Sequence, residues 1–68
     1  MNKNKFESIM KLHGDTGTSL ANYLGMARRT FSLKINETDG AEFTQGEIFA
    51  IKEKYNLTPE DVVSIFFN

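Results

Sequence analysis

The chain reads as an all-α bundle of five short helices. Three observations carry that reading. Apolar residues recur three and four positions apart in five separate segments, N-capping side chains and helix-stopping glycines divide those segments, and no stretch reads as a strand. At 68 residues this is a single domain, close to the lower limit for a self-sufficient hydrophobic core.

The first helix is expected over Lys3 to His13, where Phe6, Ile9, Met10 and His13 form one stripe. Gly14 stops it, and Thr16 is the expected N-cap of the second helix, Gly17 to Leu24. Leu20 and Leu24 lie one turn apart and face inward. The small Ala21 beside them lets another helix approach closely. Gly25 is the expected left-handed terminus, a conformation that costs any residue with a Cβ, and Met26 packs beneath the turn.

The third helix is expected over Arg28 to Asn36. At about 100° per residue, Phe31 and Ile35 point the same way, toward the core, and Leu33 points away from them. Arg29 and Asn36 flank Leu33, while Thr30 and Ser32 border it. An outward stripe of arginine, leucine and asparagine is unusual for a helix face that meets only water.

Residues 37–43 read as a loop around Asp39-Gly40. Thr44 and Glu47 form a capping box at the start of the fourth helix, whose stripe is Ile48, Ile51 and Tyr55 with Phe49 on its flank. Asn56-Leu57 makes the next turn. Thr58-Pro59-Glu60-Asp61 opens the fifth helix, with proline at the first helical position. The run Val62, Val63, Ile65, Phe66 and Phe67 covers more than half of that helix's circumference, so some of it must stay outside the core. Val63, Phe66 and Phe67 are the expected surface for self-association.

Composition removes several function classes. There is no cysteine and only one histidine, so no disulfide or metal site is expected. His13 is expected to have no functional role, Glu60-Asp61 matches a helix dipole, and no set of titratable groups suggests a catalytic cleft. Neither an enzyme nor a cofactor is expected. No apolar run has the length of a membrane span or signal core, which points to a cytoplasmic protein without a membrane partner.

The net charge is −1, but it is unevenly spread. Residues 1–36 hold six lysines and arginines against two acids, and residues 37–68 hold two against seven. A basic half joined to an acidic half suggests one face built for a polyanion.

The segment from Thr16 to Asn36, two amphipathic helices hinged at Gly25, resembles the helix-turn-helix of the phage repressor and Cro-like (XRE-type) family. Leu20, Ala21, Gly25 and Phe31 stand at that family's inter-helix contacts, small residue and turn glycine, and Thr44 to Phe67 is similar to its closing helix pair. The resemblance implies a lambda-repressor-like bundle whose third helix enters the major groove. It implies that Arg28, Arg29, Ser32 and Leu33 read base edges, and that Thr16, Gly17 and Thr18 approach a phosphate. Lys34 and Asn36 are further expected backbone contacts. Two residues depart from the family pattern: Gly17 stands where glutamine is common, and Lys34 where an apolar residue is common.

The chemistry fits those roles. An arginine at 28 or 29 can donate two parallel hydrogen bonds to guanine, worth about 1–3 kcal/mol of discrimination, and Leu33 can pack on a thymine methyl. Lys3, Lys5 and Lys34 add salt-sensitive attraction to phosphate. The expected function is a transcriptional regulator that occupies a double-stranded DNA operator as a homodimer, with no small-molecule ligand. The alternative is a protein-binding module on the same fold, an antirepressor or antitoxin-like partner.

Overall fold

The computed structural model describes all 68 residues and contains five α-helices and no strand. They are α1 (Lys3–Leu12), α2 (Gly17–Leu24), α3 (Arg28–Ile35), α4 (Gln45–Tyr55) and α5 (Pro59–Phe66). A short 3-10 turn, Thr38–Gly40, lies between α3 and α4, within the segment expected to be a plain loop. None of these helices is long and apolar enough to cross a membrane.

Local chemistry explains the boundaries. Thr16, Thr44 and Thr58 each accept a hydrogen bond from the backbone N–H three residues on, and Ser19, Glu47 and Asp61 return the bond to the cap residue. Asn2 caps α1 through the N–H of Lys5. Gly25 adopts φ 73°, ψ 28°, and the N–H of Met26 bonds back to the carbonyl of Ala21 at 3.0 Å, closing α2 with a left-handed turn. His13, Asn36 and Phe67 are terminal caps and not the last helical residues, so α1, α3 and α5 end one position earlier than their apolar patterns suggest.

The core is built around phenylalanines. Phe6 of α1 has no exposed surface, and its ring lies 6.4 Å from Phe31 of α3, 5.7 Å from Phe43 and 5.5 Å from Phe66 of α5, between ring centroids. Phe43 meets Phe6 nearly edge-on, an arrangement favoured by the ring quadrupoles. Met10, Leu20, Ala21, Ile35, Ile51, Tyr55, Leu57 and Ile65 complete the buried centre.

This cluster corrects the expectation for Phe66. Its ring turns inward onto Phe6 and Phe43 and is half-buried, which separates it from the exposed Val63 and Phe67. Phe49 and Leu12 also stay exposed, on the outer flanks of α4 and α1.

Polar contacts tie the chain ends to this centre. The N–H of Asn2 donates to the carbonyl of Ile65 at 2.6 Å, and the Met1 ammonium meets the Glu37 carboxylate at 2.8 Å. α1 thereby lies along α5, while α2 and α3 pack as a pair.

A domain of this length has a total stability of about 3–10 kcal/mol, and emptying a buried phenylalanine site costs about 3–5 kcal/mol. Phe6→Ala should therefore lower the melting temperature by more than about 12 °C or abolish the cooperative transition, as followed by circular dichroism. Phe67→Ala should leave the transition nearly unchanged, because that ring is 66% exposed. Equal melting temperatures for the two variants would show that the phenylalanine cluster does not carry the fold.

Candidate nucleic-acid interface

The burial of Phe31 and Ile35 sets the rotation of α3 about its own axis. Arg28, Arg29 and Asn36 are consequently exposed, whereas Thr30, Ser32 and Leu33 are half-buried. Leu33 is thus partly covered and not fully outward as its angular position suggests.

The start of α3 differs from that of the other four helices. Its N-cap is Ala27, which supplies no side-chain acceptor, so the first N–H groups lack the capping bond present in α1, α2, α4 and α5. Two arginines occupy this same end, where the helix dipole opposes positive charge by about 0.3–1 kcal/mol per exposed cation. Neither arginine is paired with a carboxylate. Among the eight lysines and arginines, only Lys11, Arg28 and Arg29 have neither an ion pair nor a side-chain hydrogen bond.

The expected contacts divide into three groups. Arg28, Arg29, Ser32 and Leu33 lie along one short helix, as α3 requires. Thr16 and Thr18 are exposed at the start of α2, and Gly17 is half-buried beneath the Arg28 guanidinium. The hydroxyl of Thr16 accepts the Ser19 N–H at 3.1 Å as N-cap, which leaves its own O–H free to donate to a phosphate oxygen.

Lys34 and Asn36 are both engaged by partners within the protein. The Lys34 ammonium meets the Glu47 carboxylate at 2.7 Å and is largely covered. The Asn36 amide donates to the carbonyl of Ser32 at 2.9 Å, and its carbonyl accepts from Lys3. Lys5, similarly, donates to the Ser64 hydroxyl at 2.7 Å.

A second polar centre escaped the sequence reading. The Asp15 carboxylate, just before α2, accepts from the Tyr55 hydroxyl at 2.6 Å and the Ser19 hydroxyl at 2.7 Å, with the Lys54 ammonium at 3.5 Å. His13 stacks on the Tyr55 ring at 4.7 Å between centroids, and Lys54 lies over the Tyr23 ring at 4.4 Å. This centre fastens the start of α2 to the end of α4. A partner 40 residues away leaves no local signal; the only hint was a tyrosine in a buried stripe, which needs an acceptor for its hydroxyl.

The same contacts set the titration of these groups. The Tyr55 bond, then the Ser19 bond, hold the Asp15 carboxyl below its ordinary value. Burial, then Asp15, push the Tyr55 hydroxyl well above its ordinary value. Burial pushes the Glu47 carboxyl up, but Lys34 and the Thr44 N–H outweigh it, so it too ends below the ordinary value.

No family model, curated protein or solved structure matches this chain.

The lowered Asp15 group gives a signed prediction. Its contribution to stability is present above the ordinary carboxylate value of about 4 and disappears as pH falls through the lowered value of the folded state. Tyr55→Phe removes the principal donor, so it should cost about 1–2 kcal/mol at neutral pH. It should also reduce the loss of stability as pH falls below about 4, measured by urea unfolding at a series of pH values. Acid limbs that superimpose for the two proteins would show that the Tyr55–Asp15 bond carries none of the acid sensitivity.

Proposed function

We propose that the protein is a sequence-specific DNA-binding transcriptional regulator of the phage repressor and Cro-like helix-turn-helix type, with α3 in the major groove. One observation carries the reading: two arginines without carboxylate partners stand at the uncapped start of an exposed helix, packed at a tight turn against a preceding helix. The arrangement is electrostatically unfavourable in the free protein, and a polyanion relieves it. The α2–turn–α3 pair is the geometry by which a helix is presented to base edges while its predecessor crosses the backbone.

Arg29, Ser32 and Leu33 supply the chemistry for bases: a bidentate donor, a hydroxyl and an apolar contact for a thymine methyl. Arg28 is the fourth residue at this face. Thr16, Gly17 and Thr18 border the backbone side. Occupation of an operator would block access of the polymerase.

Val63 and Phe67, 57% and 66% exposed, support pairing of two copies on DNA. The longest dimension of the domain is 27 Å. Two copies therefore fit side by side on half-sites about 34–36 Å apart.

The same exposed apolar residues, with Phe49 at 61%, favour a second reading, a protein-binding module that docks through α4 and α5. Selection of bound duplexes from a random library discriminates the two. Wild type should enrich an inverted repeat with guanine at fixed positions, and Arg28→Ala/Arg29→Ala should lose that enrichment while keeping the helical circular-dichroism signal. No enrichment at low salt by the folded wild type would overturn DNA binding and favour the protein-binding module.

A further inference from the structure

We infer that Gly17 sorts the two arginines of α3 into different roles, turning Arg28 onto the DNA backbone and leaving Arg29 to read bases; this rests on the DNA-binding reading above. A Cβ placed on Gly17 would lie 2.7 Å from Arg28 Cζ, 2.8 Å from Nη2 and 3.0 Å from Nε. Real Cβ atoms essentially never come that close, so the guanidinium occupies the space that any other residue at position 17 would fill.

The backbone does not account for this glycine. Gly17 is the first residue of α2 and has no positive φ, unlike Gly14, Gly25 and Gly40. Within a helix, glycine is less favourable than alanine. What its missing side chain provides here is room for the guanidinium.

A second contact holds Arg28 in place. Its Cζ lies 5.7 Å from the centre of the Phe31 ring, within the range of a cation–π interaction. Phe31 is anchored in the core, so Arg28 is held between a fixed ring and the backbone of α2. Arg29 has no comparable contact and extends from the exposed face.

Placement against α2 decides what Arg28 meets. When the second helix of such a pair enters the major groove, the first helix crosses the sugar–phosphate backbone. A guanidinium lying on the first helix therefore meets phosphate oxygens, which its planar fork grips with two parallel hydrogen bonds. A phosphate contact carries no base identity. Guanine preference on α3 then belongs to Arg29, and Gly17 acts as a positioning residue for Arg28.

The test compares Arg28→Ala, Arg29→Ala, Gly17→Ala and Gly17→Ala/Arg28→Ala on the selected duplex and on single-base variants of it, across a salt series. Alanine suits position 17 in a helix, and the displaced group is the end of a flexible side chain, so Gly17→Ala should melt no lower than wild type. Arg28→Ala should weaken binding to all duplexes by the same factor and make the slope of log affinity against log salt shallower by about 0.9. Arg29→Ala should flatten the preference at a guanine position. Gly17→Ala should reproduce part of the Arg28→Ala change, and the double variant should bind no worse than Arg28→Ala alone.

A base-specific loss in Arg28→Ala with an unchanged salt slope would overturn the inference and leave DNA binding standing. So would additive losses for Gly17→Ala and Arg28→Ala. Wild type that binds no duplex at low salt would overturn the DNA-binding reading itself, and the division of roles with it.

Discussion

The placement of Phe6 is the constraint on which the rest of the structure depends. Its ring packs against Phe31 of α3, Phe43 of the segment before α4, and Phe66 of α5, and Phe43 joins it by meeting Phe31 and Phe66 as well. In a chain of 68 residues there is little other apolar volume to distribute, so a single aromatic hub must orient several helices at once. The consequence for the surface is direct. Because Phe31 and Ile35 must face Phe6 and the core, α3 has one allowed rotation, and that rotation presents Arg28, Arg29 and Asn36 to solvent.

A second, polar constraint fixes α2. Asp15 receives hydrogen bonds from Tyr55 and Ser19 and lies near Lys54, which joins the start of α2 to the end of α4. The aromatic hub sets α3 and the Asp15 centre sets α2, and the left-handed turn at Gly25 connects the two helices. Neither anchor uses a group on the exposed face of α3. A substitution on that face can therefore change binding without disturbing the fold, a separation that a domain of small total stability needs.

Much of this could be read from the sequence because helix ends are written locally. Thr16, Thr44, Thr58, Pro59 and Gly25 each act within four residues, and all five stand where the local patterns put them. The facing of Phe31 and Ile35 followed from spacing alone. Features that depend on a distant partner did not follow. Lys34 looked like a free cation until α4 brought Glu47 to it, and Phe66 looked like surplus apolar surface until α1 brought Phe6 to it. Helical periodicity says which residues share a face, but not what that face meets. The Gly17–Arg28 contact was hidden for the same reason: a missing side chain has meaning only beside the group that takes its place.

Net charge illustrates that limit in a form that bears on function. The basic and acidic halves of the sequence do not become two opposed faces. The Met1 ammonium with Glu37, Lys34 with Glu47, and Asp15 with Lys54 are ion pairs that knit one half into the other. What survives this mutual neutralisation is Lys3 and Lys5, bonded only to neutral groups, and Lys11, Arg28 and Arg29, the last two adjacent at the start of α3. Screening reduces the influence of charges more than about 8–10 Å away at physiological salt. A phosphate close to that helix therefore responds to the two arginines far more than to the overall charge of −1. So few unpaired cations give a single copy only a shallow salt dependence and weak non-specific affinity. On the proposed reading, occupancy of a site then relies on base recognition and on a second copy, and the exposed Val63 and Phe67 supply apolar surface for that second copy.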